Sequence, residues 1–364
     1  MLNKLDQVKF DCKYFRGAIP CKPNKLRGKI CHNCDEYRPV SKRILIIKLG
    51  AMGDVIRTTP LLVKLKSLYP DAHVTWITWT PDILPSAEID EIFPFDFTST
   101  YIVRNQKFDI AINLDKEYEA CSLLSEVKSE EKYGFTLKDH HIAAATKNAE
   151  HKLITGFFDE ISQQNTKHYV QEIFEICHLN FYNEEYLLSY PEEYKSKFSS
   201  LHEKAKGKKL IGLNTGCGKR WLTRLWPEEK WVELIQKLQE KGYYPVVLGG
   251  PDEDERNRYY AGKTDAYYPG TYSLKEFIAL TDQFDLIVTA VSMMMHIATG
   301  LKKPMILFNN IFNKHEFYLY GRGEIVEPRT GCDDFYGTHC SRDRHCMEDL
   351  YVDDVVAAIE RHLP

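Results

Sequence analysis

Residues 48–54 (KLGAMGD), together with the helix predicted after them, carry the first side chains that could do chemistry. The Asp54 carboxylate could take a proton from an attacking hydroxyl, as a general base does. Arg57 and Thr58 follow one helical turn later and lie on the same face. The alternative is that Asp54 caps the N-terminus of this helix. The loop lacks the third glycine of the dinucleotide fingerprint, so it is not interpreted as a dinucleotide site.

A second loop, residues 214–226, is suited to binding an anion. Residues 214–221 and 224–226 combine two glycines, a threonine and three cations, and the loop leads into a helix predicted to begin at Pro227. Helix N-termini and cations favour a diphosphate; the alternative is a surface loop with exposed cations. Cys217 is interpreted as a small filler of the turn rather than a thiolate. The candidate binding residues are Thr215, Gly216, Lys219 and Arg224.

Two further loops carry polar side chains. Residues 249–255 contain an Asp-x-Asp pattern that could hold a divalent cation with a nucleotide. Acidic residues at a helix start are also what the helix dipole favours, and we prefer that interpretation. Ser292 and His296 begin another predicted helix, where the imidazole could meet a phosphate. From composition alone, a core histidine with internal partners is the favoured alternative.

The elements that must position these loops alternate between strand and helix, which predicts parallel sheets with helices on both faces. In open sheets of this kind, ligands bind beyond the carboxyl ends of the strands. The pattern restarts near residue 201, so two doubly wound domains are expected, at 43–200 and 201–364, after a segment at 1–42. A kinked helix is predicted over residues 55–69, and residues 137–168 are expected to include a mobile loop. The predicted strands are residues 44–47, 74–79, 109–114, 210–213, 244–248, 285–288 and 304–308.

Composition excludes several classes of protein. The chain has 364 residues, of which 43% are hydrophobic and 27% are charged, the balance of a globular protein. A net charge of −4 gives no global basic field for nucleic acid. No apolar run is long enough for a membrane span, and the start of the chain does not resemble a signal peptide. A cytoplasmic location is therefore expected, and residues 1–43, with a net charge of +7, could touch an anionic surface at the inner face of the membrane.

Ten cysteines are the unusual feature of the composition, and seven lie near the two ends of the chain. In a cytoplasmic protein, clustered cysteines favour metal ligands over disulfides. Four thiolates fit a structural zinc site, and iron is the alternative metal. The alternative without a metal is four unrelated reduced thiols. A second group could form another site, join the first or consist of buried thiols. The predicted ligands are Cys12, Cys21, Cys31 and Cys34, and the second group is Cys332, Cys340 and Cys346.

The motifs together resemble glycosyltransferase family 9, the ADP-heptose:lipopolysaccharide heptosyltransferases. Residues 43–60 (RILIIKLGAMGDVIRTTP) are similar to the opening motif of that family. The resemblance covers roughly residues 43–360. It includes four further segments, namely Thr215 with residues 224–227 (RLWP), the turn at 248–255, Ser292 with residues 296–298, and the closing segment from Cys346 to Val355.

The resemblance implies a GT-B fold, in which two Rossmann-like domains face a cleft. The N-terminal domain would bind the acceptor, with Lys48, Gly53, Arg57 and Thr58 as the candidate contacts. The C-terminal domain would bind a nucleotide-activated heptose, and transfer would be inverting and would need no catalytic metal. By position, Asp54 matches the general base of the family. Donor-binding residues would be Thr215, Gly216, Lys219, Arg224, Glu253, Ser292 and His296.

One departure from the family pattern stands before His296. The family usually has Asp-Thr/Ser-Gly there, whereas this chain has Val291-Ser292-Met293.

From the resemblance as a whole, we predict an inverting transferase that moves a heptose from ADP-heptose to a lipopolysaccharide-type or other cell-envelope acceptor. The alternatives are a GT-B-type nucleotide-sugar epimerase and a non-catalytic protein that binds a sugar nucleotide or glycan. Oligomers are compatible with this prediction, and a nucleic-acid partner is not expected.

Overall fold

Short apolar runs form the strands of two separate sheets. The computed structural model describes residues 5–363. Eleven strands lie in that part of the chain, and several 3-10 turns connect them to helices. The strands are β1 Arg43–Ile47, β2 His73–Thr78, β3 Glu91–Pro94, β4 Lys107–Asn113, β5 Lys128–Lys138, β6 His141–Ala144, β7 Leu210–Asn214, β8 Tyr244–Leu248, β9 Leu286–Ala290, β10 Met305–Phe308 and β11 Gly323–Val326.

Fifteen α-helices lie in the same described residues. They are α1 Lys22–Arg27, α2 Met52–Ile56, α3 Pro60–Leu68, α4 Phe97–Asn105, α5 Tyr118–Glu126, α6 Glu150–Ile154, α7 Asp159–Gln164, α8 Tyr169–Ile176, α9 Glu193–Lys197, α10 Ser200–Ala205, α11 Glu228–Glu240, α12 Asp254–Thr264, α13 Leu274–Thr281, α14 Met293–Gly300 and α15 Val352–His362. None of them combines the length and the apolar character needed to cross a membrane.

The first of two compact units contains the described residues through Gly50, with Pro60–Leu153 and Phe174–Leu179. Its six-stranded sheet has the order β3-β2-β1-β4-β5-β6, parallel except for the antiparallel pair β5 and β6. Strand β1 is central and its residues Ile44–Ile47 are fully buried, because helices cover both faces of a parallel sheet.

The second unit contains Ala51–Thr59, Ile154–Ile173 and the described residues from Asn180 onward. Its sheet is parallel throughout, in the order β11-β10-β9-β7-β8. Trp226, Trp231 and Phe308 pack together on one face, with ring centres 5.0–5.7 Å apart. This unit therefore has its own apolar core, and helix α2 belongs to it although α2 follows strand β1 directly in the chain.

One predicted element is wrong, and two strands were not predicted. Residues 55–69 do not form one kinked helix: α2 ends at Ile56 and α3 begins at Pro60, because proline has no N–H to continue the helix and disfavours helical geometry in the residue before it. Strands β5 and β6 were not predicted, and they take up residues 137, 138 and 141–144 of the stretch that was expected to include a mobile loop. Strand β5 starts with the polar run KSEEKY, so no apolar run indicated it, and its pairing with β4 depends on the backbone.

Candidate active site

Asp54 lies in the first turn of α2, and it is not the N-cap residue. Ala51 occupies the cap position, without a side-chain hydrogen bond to the helix. The Asp54 side chain is 33% exposed, so a substrate can reach its carboxylate. Thr58, one turn later, is buried and its hydroxyl donates to the Asp54 backbone oxygen (2.7 Å). The capping role that spacing alone suggested for Asp54 is therefore wrong, while Thr58 supports the helix from inside.

Arg57 connects Asp54 to a distant acidic residue. Its Nε lies 2.8 Å from Oδ1 of Asp54, and its Nη1 donates to Oε1 of Glu316 (3.2 Å). The guanidinium carbon lies 3.3 Å from the centre of the Tyr169 ring, a cation–π contact in an almost closed setting. Burial opposes the charge of Arg57, but the nearby carboxylates outweigh burial and raise its pKa above the ordinary value. Arg57 therefore stays a cation that holds Asp54.

His296 is a neutral side chain beside this group. It lies in α14 and is 7% exposed, and its Nδ1 has no hydrogen-bond partner in residues 5–363. The pKa of His296 is lowered to about 3, mainly by burial and also by the charge of Arg57, while Asp54 opposes the shift. The ring packs directly on α2: a Cβ at Gly53 would lie 2.4 Å from His296 Cδ2. Gly53 is thus required for the close approach of the two helices.

The predicted phosphate loop is organised around Arg224. This side chain is 7% exposed, and its nitrogens donate to the backbone carbonyls of Val291, Cys217 and Trp221. Burial lowers the pKa of Arg224. Within the described part of the chain no carboxylate forms an ion pair with it. A cation whose charge no carboxylate neutralises suits a phosphate oxygen as an additional partner.

The other residues predicted in and beside this loop have internal roles that limit their contact with a ligand. Thr215 is buried and its hydroxyl donates to Asn257 Oδ1 (2.6 Å), so the loop uses this side chain internally. A Cβ at Gly216 would lie 2.4 Å from the carboxyl carbon of Glu253, so there is no room for a side chain at this position. Glu253 in turn accepts from the Gly250 backbone N–H (2.9 Å).

A cavity of about 580 Å³ opens beside the loop, and its volume is that of a typical ligand pocket. The Lys219 ammonium at its rim pairs with Asp252 at 2.8 Å and is largely exposed. Tyr259, which is 47% exposed, and Arg256 also line it. Neither was predicted from the sequence, because one aromatic and one cation in a polar helix give no distinctive pattern. The full lining is Cys217, Gly218, Lys219, Leu222, Leu225, Glu228, Asp252, Glu253, Glu255, Arg256 and Tyr259.

Ser292 and its neighbours show what replaces the acidic residue of the family pattern. Ser292 is the N-cap of α14, without a side-chain cap hydrogen bond, and its hydroxyl lies 3.1 Å from Thr289 Oγ1. The side chain of Val291 is buried, and only its carbonyl faces Arg224. The first turn of α14 therefore presents a hydroxyl and backbone N–H groups but no carboxylate.

Lys48 lies in the first unit and is committed to internal partners. It is 2% exposed, and its ammonium donates to the Gly50 carbonyl (2.7 Å) and to the Asp115 carboxylate. Asp115 also accepts from the Leu49 backbone N–H. In this structure the pair supports the turn after β1. The second unit, in contrast, contains all the other predicted catalytic, donor and acceptor residues.

The cysteines predicted as zinc ligands, Cys12, Cys21, Cys31 and Cys34, are partly exposed free thiols. No group of three or more His, Cys, Asp or Glu side chains between residues 5 and 363 is arranged to hold a metal ion. The residues as placed therefore supply no geometry from which a metal-dependent step could be derived, and the zinc or iron site stays a prediction. Near the other end of the chain, a hydrogen bond with Cys346 lowers the pKa of Cys332 to about 7.

Comparisons with known proteins identify relatives of this architecture. The family profile "Glycosyltransferase family 9 (heptosyltransferase)" matches residues 101–315. Lipopolysaccharide heptosyltransferase 3 of Escherichia coli K12 is 24% identical over 345 residues, which cover 86% of this chain and 95% of that protein. The structure of a family 9 glycosyl transferase from Veillonella parvula matches with a TM-score of 0.67 at 19% identity, covering 89% and 97% of the two chains.

A further structure, E. coli ADP-heptose lps heptosyltransferase II, matches with a TM-score of 0.64 at 16% identity and covers 88% of this chain and 98% of that one. At these identities, the structural matches concern the fold. They confirm the predicted GT-B class, with a mainly parallel sheet of Rossmann type in each unit.

Proposed function

Because the chain belongs to glycosyltransferase family 9, the heptosyltransferase family, we propose that it transfers a heptose from ADP-heptose to a hydroxyl of a cell-envelope acceptor of lipopolysaccharide type. Heptosyltransferase-type glycosyl transfer follows from that membership and from the curated relative. The donor, the stereochemistry and the roles of individual residues are the proposed part. The observation that carries these roles is the partly exposed Asp54 carboxylate, held by Arg57 in the same unit as the cavity.

In the proposed reaction, Asp54 acts as the general base. As the acceptor oxygen attacks the anomeric carbon, its proton passes to the Asp54 carboxylate, and the bond from that carbon to the diphosphate oxygen breaks. One displacement from the opposite face inverts the anomeric centre. The adjacent guanidinium of Arg57 stabilises the ionised carboxylate, which is the form a base needs.

The proposed donor site is the cavity with the adjoining phosphate loop. Its volume of about 580 Å³ suits a nucleotide, and the exposed ring of Tyr259 offers a face for a purine. Arg224, Lys219 and the N-terminus of α14 supply positive potential for the charge that develops on the departing diphosphate. One of the solved structures that this chain resembles is named for ADP-heptose, which supports an adenine nucleotide.

A second function, binding of a sugar nucleotide without transfer, is favoured by one observation. Val291 and Met293 stand where the family usually has an acid and a glycine, so the turn before His296 offers the sugar no carboxylate. The two functions differ in their products, because a binding protein releases neither ADP nor a glycoside.

The test is an assay with ADP-heptose and a truncated lipopolysaccharide acceptor, with UDP- and GDP-sugars as comparison donors. We expect a glycoside that forms only with ADP-heptose as the donor. Its anomeric configuration, determined by NMR, should be opposite to that of the donor. Asp54→Asn should lower the rate at least about 100-fold while ADP affinity, measured by calorimetry, stays the same. Asp159→Asn is the matched control, because Asp159 is an exposed acid in the first turn of α7. Full transfer by the Asp54 variant would contradict the base assignment, and ADP binding without any product would favour the binding protein.

A further inference from the structure

The N-terminal segment, residues 5–42, folds with almost no apolar core of its own. Pro23 is its one buried residue in the structure. Backbone hydrogen bonds hold the segment together: the Lys13 N–H donates to Arg38 O, and the Val40 N–H donates to Asp11 O, both at 2.8 Å. The Lys13 ammonium donates to Ala72 O (3.0 Å) and so ties the segment to the first unit. Its large apolar side chains therefore contribute little to folding.

Several of those apolar side chains face solvent. Ile19 is 64% exposed and Leu26 is 63% exposed. Phe10 packs edge-on against Phe15, with ring centres 5.2 Å apart, and more than half of its surface stays open. Scattered exposed aliphatic side chains are normal on a protein surface, but here they are concentrated in a segment that has no core to complete.

The charges of the same segment are unbalanced. Residues 5–42 contain nine Lys and Arg against four Asp and Glu. Two of the acids are already paired: Asp35 lies 2.8 Å from Lys29, and Glu36 lies 2.5 Å from Arg27. Five exposed cations have no carboxylate partner in the described residues, and their charge is available to an external anion. They are Lys9, Arg16, Lys22, Lys25 and Arg38.

Helix α1 brings both properties to one face. Lys22, Lys25 and Leu26 are related by steps of three and four residues, so they lie side by side on the helix. The other side of α1 is fixed by the buried Pro23 and by the pair between Arg27 and Glu36. The outward face of α1 thus combines two ammonium groups with an exposed leucine.

We propose that a basic apolar surface docks the protein on an anionic phospholipid bilayer; it is defined by the outward face of α1, with Lys22, Lys25 and Leu26, and by the exposed Ile19 three residues before the helix. Ammonium groups gain from the negative surface potential of such a bilayer, and aliphatic side chains gain by entering the boundary between headgroups and acyl chains. A polyanion such as nucleic acid would satisfy the lysines but offers nothing to Ile19 and Leu26. The proposal does not depend on glycosyl transfer, because it concerns a surface of the first unit that contains none of the proposed donor or catalytic residues.

The test is co-sedimentation of the full chain with vesicles that contain no glycolipid, in the absence of donor. Roughly three parts phosphatidylcholine to one part phosphatidylglycerol provide the anionic bilayer, and pure phosphatidylcholine is the neutral comparison. We expect binding to the anionic vesicles only, weakened when salt rises from about 0.1 M to about 0.5 M. Asp54→Asn should bind as the unmodified chain does, which separates this result from the outcome for the transferase.

Two double variants test the surface itself. Lys22→Gln with Lys25→Gln should lower the vesicle partition coefficient roughly 30-fold, and Ile19→Ser with Leu26→Ser should lower it about tenfold. Lys206→Gln with Lys208→Gln is the charge-matched control, because these exposed lysines of the second unit have no ion-pair partner in the described residues. Leu68→Ser, at a 47% exposed position of α3, is the apolar control.

Both controls should bind as the unmodified chain does, and circular dichroism should show that all variants stay folded. Equal binding of the unmodified chain to both kinds of vesicle, or unchanged binding by the lysine variant, would overturn the proposal. If the lysine variant loses binding while the serine variant keeps it, the surface is a general polyanion site and the bilayer assignment is wrong.

Discussion

The guanidinium of Arg57 lies 2.8 Å from the Asp54 carboxylate on one side and 3.2 Å from the Glu316 carboxylate on the other. The Arg57 side chain is 11% exposed, so water screens these pairs only weakly. The planar fork of an arginine can serve two carboxylates at once in fixed directions, which a lysine ammonium does less well. Arg57 therefore fixes the direction in which Asp54 presents its oxygen to a substrate.

The first prediction concerns this fork. Arg57→Lys keeps the charge but loses the planar geometry and the stacking on Tyr169. We expect kcat to fall about tenfold, because a misdirected base is a poorer base, while ADP affinity is unchanged. The free energy of unfolding should fall by about 1–3 kcal/mol, since a buried pair is weakened. Steady-state kinetics, calorimetry and urea denaturation measure these three quantities.

Arg258→Lys is the matched control, because Arg258 pairs with Asp254 one turn earlier on a helix at an exposed position. An exposed ion pair of that kind contributes little to stability. Its loss should therefore change the free energy of unfolding by less than about 0.5 kcal/mol. Equal effects of the two substitutions would mean that Arg57 does not position Asp54.

The sequence predicts those site residues that belong to a short local motif, each in its own loop after a strand. Asp54, Arg224 and His296 are predicted site residues because each follows a strand at a spacing that resembles the family pattern. Glu316 was not found, because it lies 259 residues from Arg57 in the chain and only the fold brings the two together. Tyr169, under the Arg57 guanidinium, was missed for the same reason.

Strands could be predicted from the sequence where they are fully buried, because a buried strand appears as a short run of apolar residues. Residues 44–47 and 210–213 are such runs, and both lie in fully buried strands. Strand β5 escaped detection because its first residues are charged, and its position in the sheet is set by backbone pairing with β4. The assignment of α2 to the second unit also depends on tertiary contacts, which no local pattern encodes.

The second prediction concerns Gly53. A methyl group there would lie 2.4 Å from the His296 ring, so Gly53→Ala must push α2 and α14 apart. We expect the free energy of unfolding to fall by about 1–3 kcal/mol, the usual cost of overpacking, and transfer to fall with it. Denaturant titration and the transfer assay check both effects.

Gly262→Ala is the control for the same chemical change. Gly262 lies inside α12, and a Cβ there would meet nothing within 4 Å. Alanine should therefore raise the stability by about 0.5–1 kcal/mol, because it is the better helix former. A stabilising effect at both positions would show that the two helices do not pack as closely as the structure has them.

The third prediction concerns pH and His296. Its pKa of about 3 in the folded chain lies below the ordinary value of about 6.5 expected when the chain is unfolded. Between these values the unfolded chain binds a proton that the folded chain does not, so stability falls as pH drops through this window. From pH 7 to pH 4, the unmodified chain should lose about 3 kcal/mol more than His296→Gln loses.

Denaturant titration across that pH range measures the difference, and NMR of the imidazole should show no titration of His296 between pH 4 and pH 8. His202→Gln, at an exposed position of α10, is the control for the loss of a histidine at the surface. An imidazole signal for His296 that titrates near pH 6.5 would contradict the buried neutral ring.

The last prediction concerns Tyr259 in the cavity. If its exposed ring stacks on the base of the nucleotide, Tyr259→Ala should raise the Kd for ADP roughly tenfold, since stacking on an aromatic side chain contributes about 1–3 kcal/mol per base. Tyr259→Phe keeps the ring and should retain the affinity of the unmodified chain. Tyr118→Ala, at a 59% exposed position of the first unit, is the control for loss of a surface tyrosine. Calorimetric titration with ADP distinguishes these cases: unchanged affinity in Tyr259→Ala would place the base elsewhere in the cavity, and equal losses in the alanine and phenylalanine variants would assign the contact to the hydroxyl rather than to the ring.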